Sequence, residues 1–412
     1  MGRFQTLPEE EIKMLKSQRP HIGIFGRRNV GKSSFINAIT GQDISIVSEH
    51  PGTTTDPVNK IIELEDVGPV VLIDTAGIDD SGMLGEKRIE ASNKAIKKTD
   101  LGIILIENNE FTKFEENIAE ELQKHQTPFL IIHNKSDIKA LSTTTKQNLE
   151  KRFKVDVVDF SSTTKSNLAN IMSSIKKNTP ESAFQNPSLL DGIVEKGDIV
   201  LMITPIDTEA PKGRMILPEA QALIDTLNKD CIAVTIKETE IKLFFNKINV
   251  RPKIVITDSQ AFKKANAEIP ADVPLTSFSI LFSRLKGDFE TYVEGVKQIS
   301  KLKDNDNILI LESCSHHVTH DDIGRVKIPK WISEFTGKKL NFDIIAGQDS
   351  IPTNKKYALA IQCGGCMLTR KQVLNRIKHA TDENIPITNY GMAIAYVNGI
   401  FERATAPFSK HK

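Results

Sequence analysis

The sequence predicts an α/β protein built in three parts, the first on a mainly parallel sheet covered by helices. Two observations carry that expectation. Short apolar runs of strand length alternate with segments of helical apolar spacing along nearly all of the 412 residues. The alternation is broken near residue 180 by a stretch with Asn-Thr-Pro and Asn-Pro, and a third segment begins near Pro274.

In the first part the strands read His21–Phe25, Val70–Ile73, Leu101–Ile106, Phe129–His133 and Val155–Phe160. Phe114–His125 carries a helical pattern between two of them. Lys176–Pro187, with Asn178-Thr179-Pro180 and Asn186-Pro187, reads as a linker. In the second part Ile199–Ile203, Ile232–Ile236 and Lys253–Thr257 are strands, and Pro218–Leu227 is a helix. Ile241–Phe245 fits a short helix or a strand. This unit is small for an independent domain, which favours pairing with a second copy of itself. The third part begins near Pro274 with strands Asn307–Leu311 and Tyr357–Gln362, helices Ile328–Phe335 and Arg370–Ala380, and an apolar stretch Ala393–Val397. No internal repeat is evident. The expected divisions are 1–19 (an extension), 20–180, 188–265 and 270–412.

Composition excludes several classes. With 54 Lys+Arg against 53 Asp+Glu the formal charge is +1, which speaks against a broad electrostatic grip on nucleic acid. No run approaches ~18 apolar residues, so no membrane span is expected. Residues 1–20 are polar, with no apolar signal core, and a cytoplasmic location follows as the expectation. The 4 cysteines are too few for a disulfide framework, so clustered ones read as metal or redox groups. Cys231 stands alone in an apolar strand setting and reads as a buried structural cysteine.

Gly26-Arg27-Arg28-Asn29-Val30-Gly31-Lys32-Ser33-Ser34 follows the first strand and opens a helical pattern, the context a phosphate loop requires. Its glycines let backbone N–H groups approach phosphates, and the helix N-terminus adds a favourable dipole. Lys32 is expected on the β- and γ-phosphates and Ser33 on Mg²⁺. Asp74-Thr75-Ala76-Gly77 follows the next strand: Asp74 would hold Mg²⁺ through water, and the Gly77 N–H would meet the γ-phosphate. In Asn134-Lys135-Ser136-Asp137 the carboxylate can accept from N1 and N2 of guanine, a donor pair adenine lacks. Ser161-Ser162-Thr163 closes the base pocket. Thr54, within Gly52-Thr53-Thr54-Thr55-Asp56, is the expected hydroxyl completing Mg²⁺ coordination with GTP bound. The expectation for the first part is therefore a Ras-like P-loop GTPase. Asn29, Lys32, Thr54 and Gly77 are its expected catalytic residues. Asn29, Val30, Gly31, Lys32, Ser33, Ser34, Asp74, Asn134, Lys135, Asp137, Ser161 and Ser162 are expected around the nucleotide.

Ile78 follows Gly77 where many GTPases carry a water-orienting glutamine, so slow turnover is expected. Over residues 20–178 the chain resembles the GTPases related to bacterial tRNA-modifying and ribosome-assembly factors. In that group an asparagine at the place of Asn29 helps bind K⁺ beside the phosphates. The resemblance implies potassium-stimulated hydrolysis.

Cys363-Gly364-Gly365-Cys366 follows a strand, and Cys314 also follows one, leading into Ser315-His316-His317-Val318-Thr319-His320-Asp321-Asp322. Three thiolates meeting at adjacent strand ends suit zinc as Cys₃His with His316, or a [4Fe–4S] cluster with one iron exchangeable. A redox dithiol on Cys363 and Cys366 is a further reading.

Cys314-Ser315-His316-His317, Asp321-Asp322-Ile323-Gly324-Arg325-Val326-Lys327-Ile328-Pro329 and Cys363-Gly364-Gly365-Cys366-Met367 resemble the HydF family of [FeFe]-hydrogenase maturation GTPases. Pro205-Ile206-Asp207, Ala210-Pro211-Lys212-Gly213-Arg214, Thr257-Asp258-Ser259-Gln260, Thr276-Ser277-Phe278-Ser279, Lys286-Gly287-Asp288 and Thr388-Asn389-Tyr390-Gly391 extend the likeness over nearly the whole chain. The resemblance implies a GTPase domain, a small α/β dimerisation domain and an α/β domain holding a [4Fe–4S] cluster on Cys314, Cys363 and Cys366. It also implies a homodimeric scaffold that binds GTP/GDP, Mg²⁺, K⁺ and a transient diiron precursor. The precursor comes from two radical SAM maturases and goes to apo-[FeFe]-hydrogenase. Many members have histidine where this chain has Gln362. No nucleic-acid or membrane partner is implied. The rival reading is a ribosome- or tRNA-linked GTPase with a structural metal site.

Overall fold

The computed structural model describes residues 19–41, 58–74, 92–184, 188–205, 215–313, 322–345, 351–352, 355–365 and 368–408. The chain forms two compact units, Met1–Asn186 and Pro187–Lys412.

The first unit is a six-stranded sheet of β1 (His21–Phe25), β2 (Val58–Leu64), β3 (Gly68–Asp74), β4 (Leu101–Ile106), β5 (Phe129–His133) and β6 (Val157–Asp159), in the order β2-β3-β1-β4-β5-β6. All neighbours run parallel except β2 and β3. Both faces are covered, so β1 and β4 are buried at every position and send alternate residues into two separate cores. Ile22, Ile24, Ile103 and Leu105 pack under helices Lys32–Thr40 and Leu168–Asn178, through Phe35, Ile36, Ile171 and Ile175. Phe25, Ile104 and Ile106 pack under Lys113–Lys124 and Thr143–Phe153, through Ile118, Leu122, Leu149 and Phe153. The C-terminal ends of β1, β3 and β5 therefore open on one edge of the sheet, where ligands bind in such folds. The expected strand Val155–Phe160 is shorter, because only Val157–Asp159 finds a partner in β5. The expected linker at Lys176–Pro187 is in part helical: one helix runs to Asn178 and a short one spans Glu181–Phe184.

The second unit contains two four-stranded parallel sheets. One holds β7 (Ile199–Ile203), β8 (Ile232–Ile236), β9 (Ile254–Thr257) and β10 (Leu275–Ser277), in the order β10-β9-β7-β8. The other holds β11 (Asn307–Leu311), β12 (Asn341–Ile345), β13 (Leu359–Gln362) and β14 (Ile387–Asn389), in the order β12-β11-β13-β14. Ile241–Lys247 is a helix, which decides the ambiguous segment.

The two sheets have one topology and one register. Ile203 pairs with Ile236 and Thr257, and Leu311 with Ile345 and Gln362. Thr257 then pairs with Ser277, as Gln362 pairs with Asn389. Ser277 and Asn389 each cap the helix that follows, Phe278–Lys286 and Tyr390–Val397, by accepting from a backbone N–H three residues on. This doubling corrects the expectation of no repeat. A buried parallel strand asks only for apolar side chains, so similarity survives in fragments such as Pro274-Leu275-Thr276-Ser277 and Pro386-Ile387-Thr388-Asn389. The equivalent helices meet at equivalent residues: Asn389 Nδ2 donates to the Ser279 carbonyl at 2.9 Å, and a Cβ on Gly391 would stand 2.7 Å from that of Ser279. One apolar core, including Leu201, Val255, Leu275, Ile308, Ile361 and Ile387, runs through both halves.

Candidate functional site

Two sites stand at strand ends, one in each unit. In the first, Asn29 and Gly31 take left-handed backbone conformations, at φ 62 and 91°. Gly31 has a second constraint, since a Cβ there would lie 2.4 Å from Asn134 Nδ2. No side chain caps the helix that begins at Lys32, which leaves its first N–H groups for an anion. Lys32 Nζ donates to the Gly26 and Arg27 carbonyls at 2.7 and 2.8 Å, so the ammonium lies across the loop. Ser33 and Ser34 are exposed at the helix start.

Asn134 is buried and spends its amide on architecture. Nδ2 donates to the Val30 carbonyl at 2.9 Å, and Oδ1 accepts from the Ser162 N–H and hydroxyl at 3.2 and 2.9 Å. It ties the phosphate loop to the base-recognition segments. Lys135 Nζ donates to the Asn29 carbonyl at 2.7 Å and pairs with Glu107. Ser161 Oγ donates to Asp137 Oδ1 at 2.5 Å, aligning the carboxylate expected to read guanine. Two members of this scaffold carried no motif. His133, fully buried, hydrogen bonds Asp159 through Nδ1 at 2.8 Å and accepts from the Asn109 N–H through Nε2. That fixes its tautomer and braces the turn after β5.

Asp74 ends β3, and among the described residues its buried Oδ1 has no hydrogen-bond partner. Burial pushes its carboxyl up to about 6, against the opposing pull of Lys32. An orphaned carboxylate oxygen at the end of β3 is a hard oxygen donor, of the kind that suits Mg²⁺. Thr54 and Gly77 lie outside the described residues.

In the second unit β11 and β13 are neighbours, and the Cys363 N–H donates to the Leu311 carbonyl at 2.9 Å. Ser313 Oγ lies 2.6 Å from Cys363 Sγ, and Cys314 is the next residue in the chain after Ser313. Thiolate donors at paired strand ends fit an iron–sulfur cluster or zinc. Cys314, Cys366, His316, His317 and His320 lie outside the described residues; among the described residues no group of three or more His, Cys, Asp or Glu could hold a metal. Cys231 precedes β8, is buried, donates to the Glu195 carbonyl at 3.1 Å, and has its thiol pushed up by burial. It is structural, as expected.

Around Cys363 sit polar groups whose contacts the sequence did not show. Buried Glu312 forms a two-pronged pair with Arg325 at 2.7–3.1 Å. Buried Lys286 reaches across from the other half-repeat to the Gly365 and Leu368 carbonyls at 3.3 and 2.8 Å, on either side of Cys366. Gly365 itself is left-handed, at φ 65°. Gln362 is fully buried and hydrogen bonded on both ends of its amide, to Arg376 and Ser313.

Comparison with known proteins follows the same division. Residues 21–135 match the family model described as 50S ribosome-binding GTPase. The chain is 36% identical over 141 residues to GTPase Der of Wolinella succinogenes, covering 33% of this chain and 30% of that protein. It is 34% identical over 132 residues to GTPase Era of Caldicellulosiruptor saccharolyticus, covering 31% and 42%. It is 39% identical over 139 residues to tRNA modification GTPase MnmE of Nitrosomonas eutropha, covering 33% and 29%. The chain thus spans less than half the length of each of these relatives. Residues 189–287 match the hydrogen maturase F dimerization domain and residues 290–407 the hydrogen maturase F tetramerization domain. The boundary between those matches falls between the two half-repeats. A P-loop GTPase domain followed in order by these two domains places the chain in the hydrogen maturase F family.

Proposed function

We propose that this protein is a GTP-hydrolysing scaffold that holds a [4Fe–4S] cluster and carries a diiron precursor to apo-[FeFe]-hydrogenase. The observation that carries the reading is the pairing of β11 with β13. It sets Cys363 beside Ser313, the residue before Cys314, in a chain whose other unit carries a phosphate loop tied to guanine-recognition segments.

In the nucleotide site Lys32 neutralises the β- and γ-phosphates and Ser33, Thr54 and Asp74 hold Mg²⁺, which supplies charge stabilisation there. Asp137, aligned by Ser161, selects guanine. The Gly77 N–H meets the γ-phosphate. Asn29, exposed in the loop and joined to Lys135 through its carbonyl, offers its amide to K⁺. Turnover is slow and potassium-stimulated, because Ile78 supplies no water-orienting amide. Hydrolysis rearranges the segments around Thr53–Thr55 and Asp74–Gly77 and so changes contacts with the two radical SAM maturases.

In the other unit Cys314, Cys363 and Cys366 would hold the cluster, which would supply an iron position open to exchangeable groups. Gln362 stays off the metal, because Arg376 and Ser313 engage its amide. A position is thereby left for replaceable groups. Dimerisation uses the edge strand β8, where Ile232 is 53% exposed and Ile224, Leu227 and Leu243 expose further apolar surface. Among the described residues no helix is long and apolar enough to cross a membrane.

The test is anaerobic reconstitution of the full chain with iron and sulfide, followed by metal, sulfide and EPR analysis. About four irons with matching sulfide support the reading. Zinc without acid-labile sulfide rejects it.

A further inference from the structure

The groups around Cys363 form a directed chain. Arg376 has only donors, so the oxygen of the Gln362 amide must be the end that faces it: Nη1 donates to Oε1 at 3.3 Å. That fixes the Gln362 NH₂ toward Ser313, where Nε2 donates to Oγ at 3.3 Å. Ser313 Oγ stands 2.6 Å from Cys363 Sγ, where either atom can donate while the sulfur is a thiol; once the sulfur is a metal-bound thiolate it has no proton, and only the hydroxyl can donate. Gln362 Nε2 also stands 3.8 Å from the same sulfur. Arg376 is itself anchored, donating to the Glu312 carbonyl at 3.0 Å. Gln362 is fully buried and Ser313 nearly so, which keeps water from competing.

The other half-repeat carries nothing comparable. Counting from the matched strand ends Ile203 and Leu311, Pro205 stands where Ser313 does. Counting from Thr257 and Gln362, Asp258 stands where Cys363 does, and Thr257 replaces Gln362 itself. The donor chain exists only in the half that has the cysteine.

We propose that Ser313, aimed by Gln362 and Arg376, donates a hydrogen bond to the Cys363 thiolate and thereby raises the reduction potential of the cluster ligated there. This rests on the cluster reading above. A hydrogen bond onto a ligating sulfur draws off electron density and favours the more negative, reduced cluster. Ser313, Gln362 and Arg376 are positioning residues; none touches iron.

The experiment is an EPR-monitored redox titration of the anaerobically reconstituted full chain, with iron and sulfide quantified for each sample. Ser313→Ala shifts the midpoint to more negative potential with iron content unchanged. Gln362→Leu shifts it in the same direction by less, since the hydroxyl remains but loses its orientation. Ser313→Thr, which keeps the hydroxyl, stays near the unaltered protein. Equal potentials for the unaltered chain, Ser313→Ala and Gln362→Leu overturn the inference while leaving the cluster reading intact. So does a Ser313→Thr value that matches Ser313→Ala. If Ser313→Ala assembles no cluster, Gln362→Leu against the unaltered chain decides. Absence of a [4Fe–4S] signal from the unaltered chain overturns both readings.

Discussion

The two half-repeats of the second unit share strand order, register and helix caps, yet among the described residues only one has a cysteine just past a matched strand end. Ile203 and Leu311 end matched strands; Pro205 and Ser313 stand two residues on. Thr257-Asp258 and Gln362-Cys363 occupy the other matched end. What the halves keep is what the backbone needs: apolar strand interiors, and a short polar cap at Ser277 and Asn389. What they change is the residue just past each strand, whose side chain is released from the ladder and faces the open edge. Fold and chemistry are thus set by adjacent residues under different constraints.

The largest expected effect tests whether the thiolate end and the phosphate loop are separate devices. Cys363→Ser removes cluster iron and leaves GTP hydrolysis near the unaltered rate. Lys32→Ala does the reverse, lowering hydrolysis by about 10²-fold or more with iron retained. Metal analysis beside a phosphate-release assay reads both, and loss of both properties in either variant breaks the separation.

The next effect is in the cysteine half. Arg325→Ala leaves the buried carboxylate of Glu312 uncompensated, and costs about 3–5 kcal/mol by urea unfolding. A cost under 1 kcal/mol would show that the pair is not what holds the end of β11.

The strand end of β3 extends the comparison to the first unit. Asp74, pushed up to about 6, is protonated in the folded metal-free protein at a pH where the unfolded chain has already ionised. The folded state therefore binds the extra proton between about pH 4 and 6, and stability falls as pH rises through that window, then levels. Asp74→Asn removes the slope and raises metal-free stability at pH 7 by about 1–3 kcal/mol, while weakening Mg²⁺-dependent nucleotide binding. Thermal unfolding from pH 4 to 8 in chelator reads this; a variant that unfolds earlier at pH 7 contradicts the orphaned carboxylate.

Where the half-repeats touch, Gly391→Ala places a methyl against Ser279 and costs about 1–3 kcal/mol by overpacking. The smallest effect is Asp258→Cys. It puts a thiol at the position matching Cys363, costs about 0.5–1 kcal/mol through loss of the hydrogen bond to the Gln260 N–H, and adds no iron. Extra iron there would mean that a strand-end thiol alone suffices.

Much of this was legible in the residues, for physical reasons. β1, β4, β5, β7, β8 and β11 match the apolar runs, because a run of apolar residues at strand length between polar segments leaves few alternatives. β10 and β14 went unread at three residues each, too short for any period. β2 and β12 are edge strands whose polar residues, such as Asn59, Lys60 and Asp343, interrupt the run. The nucleotide site was readable because phosphate chemistry demands glycines at fixed spacing. The surroundings of Cys363 were not. Ser313 meets it across 50 residues and Lys286 reaches Gly365 across 79, and only the parallel register brings them together.

The central claim is that thiolates at the ends of β11 and β13 hold an iron–sulfur cluster with one position open. The most direct measurement is pulsed EPR of the reduced, anaerobically reconstituted full chain, with and without an added small cyanide or imidazole ligand. The account predicts a [4Fe–4S]⁺ signal that changes when the exogenous ligand binds, with no histidine nitrogen coupling beforehand. A silent protein, or a cluster signal that no added ligand alters, contradicts it.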